Sequence, residues 1–304
     1  MKTAIKIDSL TKIYDDKKVV DNLSFEIPEN SICGFLGPNG AGKTTTFKLI
    51  TNLINKDSGK IEIFGKEVTN NTQIDEIRFL QDVPEFYNYM NAYEYLEFIC
   101  KLNEIDNIDS KVKETIKLVG LEEAKKKKIG KYSRGMKQRL GIAGAIIPNP
   151  KILFLDEPVS ALDPLGRKDV FELLNKLKGK MTIIFSSHII DDIERVSDRI
   201  IIIDHGKKVL DGTTEELRNS HLTDIIEVKF KDIKDISKFK KELKAKEAEY
   251  ETIDDALRIK SPTDDIQEKI FKILTTNKIN ILSFNIVAPS LEEIFVSEVS
   301  KWNN

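Results

Sequence analysis

The chain has 304 residues, 40% of them apolar, enough to build a sizeable core in one large domain or two smaller ones. Its 48 Lys and Arg against 50 Asp and Glu leave a formal net charge of −2, so no basic excess draws it to nucleic acid or anionic lipid. Two cysteines, Cys33 and Cys100, exclude a disulfide framework and a four-cysteine zinc site, and the apolar runs fall far short of the ~20 residues of a membrane-spanning helix. The first residues, Met1 to Lys6, hold no continuous apolar stretch, so no signal peptide is expected.

Residues 4–7 alternate polar and apolar side chains. Residues 19–27 do the same after the polar turn Asp15-Asp16-Lys17, and together they predict two strands. The apolar run 32–36 leads directly into glycine-rich sequence and a helix expected over 44–53, the order that begins an α/β unit. That loop, Gly37-Pro38-Asn39-Gly40-Ala41-Gly42-Lys43-Thr44, fits the phosphate-binding pattern G-x-x-x-x-G-K-[ST]. Its glycines permit a tight turn, so N–H groups across Asn39, Gly40, Ala41, Gly42, Lys43, Thr44 and Thr45 can converge on phosphate oxygens at the positive end of a helix. Lys43 can reach the β- and γ-phosphates of a nucleotide, and the Thr44 hydroxyl can ligate Mg²⁺.

From 91 to 130 apolar residues recur at helical spacing: Leu96, Ile99 and Cys100, then Val112, Ile116 and Val119. Asn91 with Glu94 reads as a capping box, and the stretch as a helical insertion in the α/β domain. A buried strand over 152–155 then ends in Asp156 and Glu157. This places Asp156 at the carboxyl edge of a sheet, where it would hold Mg²⁺ through water, and Glu157 where it would polarise the attacking water. A helix over 164–177, strands over 182–185 and 199–203, and the turn Asp204-His205-Gly206 complete a pattern of apolar runs between helices, as in a parallel sheet covered on both faces. After about residue 220 the order is a strand (225–230), a charged helix (236–246), two strands (249–253 and 256–260) across Asp254-Asp255, a helix (266–274) and a strand (279–287). That βαββαβ order is the split βαβ, ferredoxin-like arrangement, closed by a helix after Pro289. His205 and His221 read as turn residues, and Cys33 as a small buried apolar side chain.

Tyr132-Ser133-Arg134-Gly135-Met136-Lys137-Gln138-Arg139 resembles the signature sequence of ABC-type ATPases and lies, as theirs does, shortly before the acidic strand. Ser160-Ala161-Leu162-Asp163 resembles their D-loop, Ser186-Ser187-His188 their switch histidine, and Tyr14 matches the aromatic residue that stacks on adenine. The resemblance implies an ATP-hydrolysing subunit of an ABC transporter. Its cofactors would be ATP and Mg²⁺, with Glu157, His188 and Lys43 catalytic. The fold implied is a phosphate-loop α/β domain over 1–220 with an antiparallel β subdomain and a helical subdomain at about 88–150, followed by a small α+β domain over 221–304. It also implies that two such domains pack head to tail, each ATP lying between one phosphate loop and Ser133 and Gly135 of the other subunit.

Two departures refine this. Arg134 and Met136 replace the glycine and glutamine usual in the signature, a version that resembles the branch exporting drugs, peptides (bacteriocins among them) or ions. In Ile77-Arg78-Phe79-Leu80-Gln81-Asp82-Val83-Pro84, Asp82 rather than Gln81 aligns with the Q-loop glutamine, so either residue is a candidate metal ligand. The expectation is a peripheral subunit on the cytoplasmic face of a membrane. It would dimerise on ATP with a copy or paralogue, drive a separately encoded permease, and bind no nucleic acid. The alternative is a soluble, non-transport ABC ATPase acting on a protein or nucleic-acid complex.

Overall fold

Hairpin pairing organises the first thirty residues in the computed structural model, which describes residues 2–69, 72, 74–220, 224–244, 250–253, 256–261, 264–287 and 290–295. His221, the turn Asp254-Asp255 and Pro289 lie outside the described residues. Strands β1 (Thr3–Tyr14) and β2 (Lys17–Pro28) pair antiparallel. Asp15 and Asp16 join them at φ +46° and +62°, the left-handed pair of a two-residue type I′ turn. β1 runs well past the expected 4–7. Register shifts on both sides of Leu10, with Ser9 at φ +53°, break the alternation by which a strand is read.

The fully buried β3 (Ile32–Leu36) leads through residues 37–42 into α1 (Lys43–Ile50). α1 stops three residues short of its expected end. Asn52 takes a left-handed φ of +57°, and the N–H groups of Asn52 and Leu53 close on the carbonyls of Leu49 and Lys48. β4 (Ser58–Ile63) and β5 (Lys66–Glu67) complete an antiparallel sheet in the order β2-β1-β4-β5.

After β6 (Ile77–Leu80) come α2 (Ala92–Leu102), α3 (Ile108–Leu118), a 3₁₀ turn at Ile129–Lys131 and α4 (Arg134–Ile146). The capping box of α2 closes both ways: Glu94 N–H donates to Asn91 Oδ1 at 3.0 Å, and Asn91 N–H to Glu94 Oε2 at 2.8 Å. Of the apolar residues expected in this insertion, Leu96, Cys100, Val112, Ile116 and Val119 are buried, and Ile99 is half-buried.

β7 (Ile152–Leu155), α5 (Pro164–Leu177), β8 (Thr182–Ser187), α6 (Ile190–Glu194), β9 (Arg199–Asp204) and β10 (Lys207–Thr213) follow. They form a six-stranded sheet, β10-β9-β3-β8-β7-β6, whose neighbours are parallel except β9 with β10. The carboxyl ends of β3, β6, β7 and β8 therefore share one edge, where open α/β sheets bind ligands. A run of buried rings ties the two sheets to α1: Phe25 on β2 to Phe35 on β3 at 5.8 Å, Phe35 to Phe47 on α1 at 5.4 Å, and Phe47 to Phe154 on β7 at 5.0 Å.

The chain divides into two compact units, Met1–Thr214 and Glu215–Asn304, with α7 (Thr214–Ser220) starting at the division. In the second unit β11 (Asp224–Phe230), α8 (Ile233–Lys244), β12 (Tyr250–Ile253), β13 (Ala256–Ser261), α9 (Asp264–Thr276) and β14 (Ile281–Val287) give the βαββαβ order. The sheet is antiparallel, in the order β12-β13-β11-β14. Its core joins Ile226 and Val228 on β11 to Phe239 on α8 and Ile270 on α9. A helical turn over 291–295 is started by a second capping box, Ser290 with Glu293. Arg258 holds it, bonded to Glu227 at 3.0 Å and to Glu293 at 2.9 Å.

Because Phe47 is fully buried and central to the ring run, Phe47→Ala should lower unfolding free energy by about 3–5 kcal/mol. Urea titration checks this, and a loss under about 1 kcal/mol would remove Phe47 from the role given to it.

Candidate active site

The phosphate loop is shaped by backbone contacts that only glycine allows. Gly37 N–H donates to Ser187 O at 3.3 Å, and a Cβ on Gly37 would lie 2.4 Å from Ile203 O. Gly42 sits at φ +100°, with Val19 O 2.6 Å from where a Cβ would be. Gly42 is also the N-cap of α1 and offers no capping side chain. The N–H groups of Lys43, Thr44 and Thr45 therefore have no intrahelical acceptor and present the positive end of the helix. Thr46 turns inward, its N–H and hydroxyl both bonded to Gly42 O, at 2.9 and 2.8 Å.

Facing this helix end, Asp156 and Glu157 follow the buried β7. Asp156 is only 4% exposed, and both its oxygens are engaged: Oδ2 accepts from Thr44 Oγ1 at 2.6 Å and Oδ1 from Ser186 Oγ at 2.6 Å. Glu157 takes a left-handed φ of +46°, and its N–H donates to Ser186 Oγ at 2.8 Å. One carboxylate oxygen, Oε1, lies 3.3 Å from Lys43 Nζ, and the other, Oε2, lies 3.0 Å from His188 Nδ1. Lys43, 7% exposed, donates its hydrogen bonds to the carbonyls of Gly37 at 2.7 Å and Pro38 at 3.2 Å. Lys43, Thr44, Asp156, Glu157 and His188 thus form one bonded cluster at the sheet's carboxyl edge. Cys33, behind the loop in β3, is fully buried, and burial pushes its thiol pKa well above the usual range.

The other expected residues lie elsewhere. Tyr14 stands half-exposed at the end of β1, with Lys12 Nζ 5.1 Å from its ring centre, while the strand that follows brings Val19 O against Gly42. Ser133 is the N-cap of α4, which begins at Arg134. Its Oγ accepts from Met136 N–H at 3.2 Å, leaving its own proton free to donate. Ser133 is exposed, Gly135 is half-buried within the first turn, and among the described residues no hydrogen bond joins Ser133 to the Lys43–Glu157 cluster. Asp82 accepts a short hydrogen bond from Ser160 Oγ of the D-loop and lies 3.9 Å from Arg134. Gln81 is exposed, and among the described residues no hydrogen bond joins Gln81 or Asp82 to Thr44 or Asp156. In the sequence Ser186 stands out only as part of the switch motif; its bonds to the Asp156 carboxylate and the Glu157 N–H come from the pairing of β7 with β8.

Residues 20–160 match the family described as ABC transporter, and residues 212–299 match the C-terminal domain of ATP-binding proteins like DrrA1-3. The bacitracin transport ATP-binding protein BcrA of Bacillus licheniformis is 37% identical over 97% of each chain. The chain belongs to the ATP-binding subunits of ABC transporters. The ABC transporter ATP-binding protein YxlF of Bacillus subtilis is 40% identical over 75% of this chain and 77% of its own. The daunorubicin/doxorubicin resistance ATP-binding protein DrrA of Streptomyces peucetius is 29% identical over 97% of this chain and 92% of its own. Among solved structures, cbiO1 of Clostridium perfringens, part of the ABC transporter complex cbiONQ, aligns with a TM-score of 0.65 at 26% identity, over 72% of this chain and 94% of its own. The chain is thus an ABC-type ATPase of the transport class, and the non-transport alternative is set aside. The C-terminal unit has a family match of its own.

A side chain at position 42 would meet both a left-handed φ and Val19 O. Gly42→Ala should therefore weaken binding of a fluorescent ATP analogue by roughly tenfold or more. An unchanged affinity in a folded variant would show that the loop tolerates the strain.

Proposed function

We propose that two copies of this subunit, or one copy and a paralogue, close head to tail on ATP. Each nucleotide would lie between Lys43, Thr44, Asp156, Glu157 and His188 of one chain and Ser133 and Gly135 of the other. The observation that carries this is the separation within one chain: the phosphate loop and acidic strand are bonded into one cluster, while the Ser133 hydroxyl faces outward on another helix. The loop N–H groups from Asn39 to Thr45 would hold the phosphates, Tyr14 would stack on adenine, and Lys43 would leave Glu157 for the β- and γ-phosphates. Glu157, freed from Lys43, would polarise the attacking water, with His188 bonded to its other oxygen and directed at the γ-phosphate.

The donor set beside the loop fits a hard divalent cation. A buried carboxylate bonded only to neutral hydroxyls, with no Lys or Arg ion pair among the described residues, is one that a cation would complete. Thr44 and Asp156 would hold Mg²⁺, which when bound neutralises charge on the phosphates. Asp82 would act through Ser160 and Arg134, linking the Q-loop to the D-loop and signature.

No helix among the described residues is long and apolar enough to cross a membrane. A separate permease would supply that part, placing this subunit at the cytoplasmic face. The surface that would meet it follows the Q-loop: Val83, Tyr87, Tyr89 and Phe98 are exposed, with Tyr87 5.8 Å from Tyr89 and 6.4 Å from Phe98. The cargo class is export of a drug, peptide or ion, supported by the 37% identity to a bacitracin transport subunit and the 29% identity to a drug-resistance subunit. Closure would be favoured by contacts made only with the γ-phosphate present, and its loss would release the pair.

Glu157→Gln should keep ATP binding, lower phosphate release by about 10²–10⁴, and trap an ATP-dependent dimer on size exclusion. Normal hydrolysis by this variant would exclude Glu157 from the role. Ser133→Arg mixed with Lys43→Ala should regain part of the activity each lacks alone. Failure at every mixing ratio would count against sites shared between chains.

A further inference from the structure

We propose that Ser186 is a positioning residue for hydrolysis, one hydroxyl setting the rotamer of Asp156 and the backbone of Glu157 together. The inference rests on the roles given above to Asp156 and Glu157. Ser186 lies at the carboxyl end of β8 and is fully buried. Leu155 pairs with Phe185 in the parallel ladder, so Asp156 and Ser186 come level one residue later. A serine hydroxyl has one proton to give and two lone pairs to accept with. Its proton goes to Asp156 Oδ1 at 2.6 Å, since an ionised carboxylate can only accept, and its oxygen takes Glu157 N–H at 2.8 Å.

The bonds form a directed chain: Glu157 N–H to Ser186 Oγ, Ser186 O–H to Asp156 Oδ1, and Thr44 O–H to Asp156 Oδ2. Such chains strengthen each member in a low-dielectric interior. With Oδ1 held by Ser186, Oδ2 is turned toward Thr44, and the Thr44 lone pairs are left facing outward. With its N–H held, Glu157 stays at φ +46°, the backbone that delivers one carboxylate oxygen to Lys43 and the other to His188. Ser186 itself touches neither Lys43 nor the loop N–H groups among the described residues, so its loss should spare nucleotide docking.

The test compares wild type, Ser186→Ala and Ser186→Thr in the full-length protein. Residues behind a metal ligand typically change metal affinity or activity by about 10–100-fold. Ser186→Ala should lower kcat over that range with KM for ATP changed less than about threefold. It should weaken Mn²⁺ binding by about tenfold or more, followed by electron paramagnetic resonance with a non-hydrolysable ATP analogue. Ser186→Thr, which keeps the hydroxyl, should recover both. If wild type does not hydrolyse ATP, the underlying roles fail and not this inference alone. If wild type is active and Ser186→Ala keeps kcat and Mn²⁺ affinity within twofold, the inference is overturned. It is also overturned if a folded Ser186→Thr restores neither. Should Ser186→Ala melt out, Ser186→Cys, whose thiol is a weak donor, takes its place under the same criteria.

Discussion

Burying a carboxylate is costly unless its oxygens find hydrogen bonds or a cation. Asp156 meets that demand with two hydroxyls, Thr44 from the helix after the phosphate loop and Ser186 from the neighbouring strand. The rest of the site follows from this pair of bonds. They tie α1 to the ends of β7 and β8, so the loop's N–H groups, the Lys43 ammonium and the Glu157 carboxylate are brought to one edge of the sheet. The buried rings of Phe35, Phe47 and Phe154 brace the same α1 from behind. The chemistry therefore stands on a short helix fixed at its N-terminus by polar bonds and along its side by packing.

The signature segment obeys a different constraint. Ser133 caps α4 through its oxygen, an ordinary local role, and the same hydroxyl keeps a proton that the helix does not need. Arg139 on α4 is paired with Asp169 on α5 at 2.6 Å, and Arg134 lies near Asp82, so the segment is anchored to its neighbours by charged side chains. In the proposed dimer that anchoring lets the phosphate at one site influence the Q-loop and D-loop of the other chain. Arg134, where the family's usual signature has glycine, is then part of the linkage.

Where sequence pattern and local chemistry agree, the elements were legible at their boundaries. β7 and α5 begin and end where expected, because a continuous apolar run and an Asp163-Pro164 helix start are unambiguous signals. The βαββαβ order of the C-terminal unit was legible for the same reason, from short alternating runs between amphipathic helices. The misses share a cause. The end of α1 is set by Asn52 turning left-handed, and β1 continues through irregular register, and neither leaves a periodic trace. The neighbours of Asp82 in space, Ser160 and Arg134, likewise lie far from it in the chain and leave no local pattern.

What the residue order alone determined is the set of chemical parts: a glycine loop with Lys43 and Thr44, a buried strand ending in Asp156-Glu157, a signature-like segment with Ser133 and Gly135, and a histidine after a strand. These depend on spacing within a few residues, which the covalent chain sets directly. Tertiary structure decided which of those parts meet. Only the parallel ladder brings Ser186 level with Asp156 and lets one hydroxyl hold the Asp156 carboxylate and the Glu157 N–H together. Only the packing of α1 against the sheets sets Thr44 within 2.6 Å of Asp156. Contacts between residues 30 and 112 positions apart have no local pattern from which to be read, because strand order and helix packing create them.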